Sequence, residues 1–184
     1  MRFNLIVFFF AVSLVACSPQ ADPAKVEKVN ELKSRIDSSK RAFAKIDSTT
    51  GVGSAMQYNL NVQYLKTDYR DTVTEETARF VDKYYSLRKA MKLIRSTYAR
   101  TAKEIRTTDE RLGNLMHDLE NGLIEEGQFQ QYHQLESNNV ALIEESVGDI
   151  LYAYETVQPM YDEMNPKIDS LIQNDKREKA KPSE

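Results

Sequence analysis

Apolar residues recur in alternating steps of three and four along most of the chain, the spacing that gathers them on one face of an α-helix. Three stretches carry this rhythm. In the first, Val29, Leu32, Ile36, Ser39, Phe43 and Ile46 predict a helix over about 23–47. The second passes through Phe80, Tyr84, Leu87, Met91, Ile94, Tyr98, Thr101, Ile105, Thr108, Leu112, Leu115 and Leu119. It predicts one helix over about 73–121, near 70 Å long at about 1.5 Å per residue. Thr72-x-x-Glu75 has the form of a capping box at its start, and Asn121-Gly122 is a good stop. The third runs from Phe129 through His133, Glu136, Val140, Ile143, Val147, Ile150, Tyr154, Val157, Tyr161, Met164 and Ile168 to Leu171, predicting a helix over about 125–173. Pro159 and Pro166 fall at outward positions of that stripe, so each predicts a kink or short break without a change of face.

A spacing of about 3.5 residues sustained this long makes helices wrap on one another. The connection around Asn121 to Gly127 is short, so the second and third helices must run antiparallel. Folding them about Ile124 pairs Leu119 with Phe129, Ile105 with Ile143, Tyr98 with Ile150, Leu87 with Tyr161 and Phe80 with Ile168. The expected fold is all-α: an elongated antiparallel helical hairpin or coiled coil, with the N-terminal helix packed on it as a three-helix bundle. One domain is expected over 25–173. The lysine-rich residues 174–184 read as a disordered tail.

Two segments depart from the rhythm. Thr49 to Ser54, with Gly51 and Gly53 among small polar residues, reads as a break. In the following residues 55–71, Tyr58, Leu60, Val62 and Tyr64 alternate with polar neighbours as in a strand. No second convincing strand exists to pair with them, so a helical or irregular segment across the bundle is expected.

Composition agrees with helices. Six glycines, five prolines and no tryptophan in 184 residues disfavour a turn-rich β fold. A net charge of −3 gives no general reason to expect nucleic-acid binding. Locally the balance differs: between Arg88 and Arg106 the second helix carries seven basic residues against Glu104 alone. The third helix offers Glu144, Glu145, Asp149, Glu155 and Asp162 in the stretch that would lie beside it, so neutralisation by that helix is expected. Lipopolysaccharide phosphate or anionic lipid is the alternative counter-charge.

Catalytic constellations are scarce. His117 and His133 are the only histidines and the only candidate metal ligands, with Asp118, Glu120 or Glu136 as possible companions. His117 takes an outward position and His133 a seam position, so no metal and no cofactor are expected. His133 and Glu136 instead mark a weak point in the seam, suited to a polar layer that fixes register. Adjacent carboxylates such as Glu125-Glu126 point about 100° apart on a helix and read as a solvated face. Gly51-x-Gly53-Ser54 lacks the Gly-Lys of a phosphate loop, and no G-x-S-x-G elbow is present. The ten tyrosines, several on the inner stripe, read chiefly as core packing, with a groove for a sugar or peptide as the alternative.

The N-terminus carries an address. After Met1-Arg2, Phe3 to Val15 is almost wholly apolar, too short to span about 30 Å of hydrocarbon but suited to an export signal. Leu14-Val15-Ala16-Cys17 follows and resembles the lipobox of bacterial lipoproteins. The resemblance covers residues 1–17 only. It implies a signal peptide over 1–16, diacylglycerol transfer to Cys17, cleavage after Ala16 and a membrane anchor. Ser18 in place of an aspartate favours the outer over the inner membrane. Residues 17–24 form the lipidated cysteine and a short tether. As Cys17 is the only cysteine, no disulfide forms within the chain. The expectation is a non-enzymatic interaction or structural module of the cell envelope. It is held to the bilayer through acylated Cys17 and meets an envelope protein or a second copy of itself, with no nucleic acid. A periplasmic small-ligand or metal-binding lipoprotein is the alternative.

Overall fold

The computed structural model describes residues 21–69 and 73–181; Cys17, the apolar run before it and Thr72 lie outside them. Five helices follow in order: α1 (Pro23–Phe43), α2 (Ser48–Thr67), α3 (Glu75–Ser86), α4 (Arg88–Glu120) and α5 (Glu126–Lys179). No strand occurs among the described residues, and the fold is an all-α bundle. No helix among these residues is long and apolar enough to cross a membrane.

α5 is the spine, 54 residues long, or about 80 Å. α1 and α2 follow it in the same direction. Lys25 meets Glu126, Arg35 meets Glu144, Ser54 meets Gln158 and Tyr64 meets Asp175. α3 and α4 run the other way, as the Tyr84–Asn165 hydrogen bond and the Arg111–Glu136 ion pair require. These last pairs fall within a residue of the register obtained by folding the hairpin about Ile124. The bundle thus has three rods, two of them interrupted: α1–α2 and α5 run in parallel, and α3–α4 runs antiparallel to both.

The inner stripes form the core. Val29, Leu32 and Ile36 of α1, Met91, Ile94 and Leu112 of α4, and Val140, Ile150 and Ile168 of α5 are each at most 2% exposed. Burying each such side chain contributes about 1.5–3 kcal/mol. The polar layer is present too: Glu136, 4% exposed, accepts from Arg111 Nε at 2.7 Å and from Asn139.

Four local expectations are corrected. The first rod breaks at 44–47, not at Thr49 to Ser54, which lies inside α2. Asp47 caps that helix, its Oδ1 accepting from the Thr49 and Thr50 N–H groups. Gly51 serves packing there: a Cβ on it would lie 2.9 Å from the Tyr154 ring. Second, α2 continues along the bundle axis instead of crossing it, and buries Ala55, Tyr58, Asn61 and Val62. Third, the helix predicted over 73–121 is two helices joined at Leu87 (φ −69°, ψ −11°), whose N–H bonds the Tyr84 carbonyl. α3 is capped by Thr74, whose hydroxyl accepts from the Thr77 N–H. Fourth, α5 runs past residue 173 to Lys179, because Ile172 and Asp175 are buried, with Asp175 bonded to Tyr64 and Lys179. It also passes unbroken through Pro159 and Pro166, both exposed, each removing one N–H from the outer side.

Candidate interaction surface

Most tyrosines with inner positions are core. Tyr58, Tyr84 and Tyr161 pack ring to ring, with centroids 4.9 and 6.4 Å apart. Burial pushes the Tyr58 and Tyr161 hydroxyls up to about 12 and Tyr84 higher still. The Tyr84 hydroxyl donates to Asn165 Oδ1 at 3.0 Å, in a cluster closed by Asn61 and Asp169. Tyr98 stacks on Phe43 at 4.6 Å.

The histidines stand apart from any ligand set. His117 is exposed beside Asn121 at the end of α4. His133 lies half-buried against the Phe129 ring, and burial lowers its pKa, assisted by Lys28 and opposed by Glu31. Among the described residues no group of three His, Cys, Asp or Glu side chains is placed to hold a metal ion.

The hairpin of α4 and α5 has two flanks, and they differ. α1 and α2 fill the trough on one side. Three ion pairs there match charges across helices: Lys25 with Glu126, Arg35 with Glu144 at 2.7 Å, Lys40 with Asp109 at 2.7 Å. The Arg35 guanidinium holds the Glu144 carboxyl below its usual range.

On the other side no helix of the described residues covers the trough. It holds a hollow of about 530 Å³ around Arg100, Lys103, Leu142 and Ser146, and one of about 560 Å³ around Lys89, Lys92, Leu93 and Tyr152. A smaller one of about 170 Å³ continues towards the α4–α5 turn, beneath Tyr132. Large apolar side chains stand in water along it: Leu135 is 54% exposed, Leu142 61% and Tyr152 74%.

Neutralisation of the basic stripe by α5 is not what the structure contains. Glu144 is taken by Arg35, while Arg100 and Arg106 pair within α4 with Glu104 and Glu110. Arg88, Lys89, Lys92, Arg95 and Lys103 make no ion pair among the described residues. Sequence reasoning missed the apolar side chains of this flank. The signal was a second stripe on α5, Tyr132, Leu135, Asn139, Leu142, Ser146, Asp149 and Ala153, in the same alternation of three and four.

No family model, no curated protein and no solved structure matches the chain.

Proposed function

We propose that the chain is a lipid-anchored protein of the bacterial cell envelope, held to the membrane through Cys17, that acts without catalysis as a helical interaction module. The observation that carries the interaction role is the uncovered α4–α5 flank, where exposed leucines and a tyrosine line a trough with unpaired cations. Contiguous exposed apolar side chains of this kind mark contact surfaces. The anchor rests on the apolar leader and Leu14-Val15-Ala16-Cys17.

Anchoring also gives the rod an orientation. Lys25, eight residues after Cys17, pairs with Glu126 and stands over the Phe129 ring, 5.5 Å from its centroid. The α4–α5 turn is then the membrane-proximal end, and the ends of α2 and α5 the distal one. Two or three acyl chains hold such a rod stably, where a single chain binds only marginally. The outer membrane is the favoured location, since Ser18 follows the cysteine.

Metabolic labelling with an alkyne fatty acid, followed by fractionation and crosslinking in intact cells, tests this reading. The wild-type chain is expected to carry lipid, sediment with membranes and crosslink to a protein neighbour. Cys17→Ser is expected to accumulate as an unlabelled, uncleaved precursor. Normal processing of that variant refutes the anchor, and recovery of neither a neighbour nor a self-dimer refutes the interaction role.

A further inference from the structure

Resting on the reading of the chain as an interaction module, the geometry points to one occupant of the open flank: an acidic amphipathic helix of a second protein, lying along α4 and α5 as the fourth helix of the bundle.

Shape, apolar spacing and charge agree on this. The opposite trough of the same hairpin is filled by helices, α1 and then α2. A trough between two antiparallel helices fits a cylinder about 10 Å wide. Leu135 and Leu142 are seven residues apart, two turns of helix, and Tyr152 continues the exposed apolar line. Anchors at such intervals receive the i, i+3, i+4 and i+7 residues of a docked helix.

Charge selects the kind of helix. The two larger hollows are lined by Lys89, Lys92, Arg100, Lys103 and Arg111 against Glu104 and Asp149 only. On the filled flank Lys25, Arg35 and Lys40 each meet a carboxylate of a neighbouring helix. A helix with Asp and Glu beside its apolar stripe reproduces that pattern on the open flank, where Lys89, Lys92 and Lys103 take no ion pair among the described residues. A second copy placed groove to groove sets these lysines against their own kind, and like charges facing each other disfavour pairing. A bilayer surface is broad, whereas the trough between α4 and α5 is concave and fits a cylinder.

Photocrosslinking tests this on the full-length, membrane-anchored chain in the cells that produce it. Benzoylphenylalanine is placed at Leu142 or Tyr152, and as controls at Asn30 or Asn59, exposed positions of α1 and α2. Adducts are sequenced to the crosslinked peptide. The expected result is a protein adduct from Leu142 and Tyr152, in a peptide with apolar residues at three-four spacing flanked by Asp and Glu. Combined Lys89→Glu, Lys92→Glu and Lys103→Glu changes are expected to lower its yield at least tenfold with no change in melting, whereas Lys45→Glu leaves it unchanged.

Each other outcome counts against the proposal. A phospholipid adduct assigns the flank to the membrane, and an adduct with the same chain assigns it to self-association. A protein adduct insensitive to the triple change removes the acidic partner. Adducts from Asn30 or Asn59 alone overturn this inference yet leave the chain an interaction module. No protein adduct at any position overturns both.

Discussion

The two flanks of the α4–α5 hairpin are built from the same two helices and the same heptad rhythm, yet one is finished and the other is not. On the filled flank, apolar residues vanish beneath α1 and α2, and charges from neighbouring helices meet as pairs. On the open flank, Leu135, Leu142 and Tyr152 remain in water, and the lysines that α4 presents take no ion pair among the described residues. The contrast shows that heptad spacing does not distinguish a seam the chain fills itself from one it leaves to another molecule. Only the third dimension does.

The sharpest way to break this comparison is truncation in the seam and on the open flank. Ile150 is fully buried, so Ile150→Ala is expected to destabilise by about 2–5 kcal/mol. Leu142→Ala is expected to stay within about 0.5 kcal/mol. Urea midpoints with an unchanged m-value measure both. A large loss from Leu142→Ala would mean that the open flank already belongs to the core.

The next effect sits at the edge of the groove. Glu136 is buried and relies on Arg111, whose own side chain is 43% exposed. Arg111→Ala leaves the carboxylate with Asn139 alone and is expected to destabilise by about 1–3 kcal/mol. Lys103→Ala, about two turns earlier and without an ion pair, is expected to change stability by less than about 0.5 kcal/mol. Equal losses in the two variants would show that the groove cations already have partners within the chain.

Glycines report on tightness. Gly148 has open space where a Cβ would be, so Gly148→Ala is expected to stabilise by about 0.5–1 kcal/mol through helix propensity. Gly51 touches the Tyr154 ring, and Gly51→Ala is expected to destabilise by about 1 kcal/mol, overpacking outweighing propensity. Opposite signs in thermal melts are the outcome to look for.

The smallest effect is electrostatic. The Arg35–Glu144 pair is partly exposed, so solvent screening limits Glu144→Gln to about 0.2–1 kcal/mol at neutral pH. The folded-state pKa of Glu144 is lowered from 4.5, so its contribution is complete above that value and disappears as pH falls through the lower one. Wild-type and variant midpoints should therefore converge in acid, and a constant gap would argue against the pair.

Much of the bundle was legible because burial repeats at a period. The stripe residues from Phe80 to Leu119 and Phe129 to Leu171 face inward or border the core, and Glu136 forms the polar layer its position suggested. The breaks were not legible. Leu87 interrupts the second rod with neither glycine nor proline beside it, and the carbonyl of Tyr85 in the last turn of α3 accepts from the Tyr58 hydroxyl, a contact no local pattern contains. Thr49 to Ser54 resembles a linker until Asp47 caps it and Tyr154 fills the space over Gly51. The tail became helix as far as Lys179, where Tyr64, far off in sequence, binds Asp175. The open flank was half legible: the Leu135–Leu142 interval was visible, but the basic stripe beside it invited a neutralising α5 that turns its Glu144 towards α1 instead.

Whether the open flank is occupied in the cell is the central question, and cysteine accessibility addresses it most directly. Leu142→Cys and Asn30→Cys are introduced separately into the full-length chain, whose own Cys17 is blocked by lipid on the proposed reading. Maleimide labelling rates are then compared between intact envelopes and purified protein. The account predicts that Leu142→Cys labels at least tenfold more slowly in envelopes than when purified, while Asn30→Cys labels alike in both. Equal rates for Leu142→Cys in the two settings would contradict it.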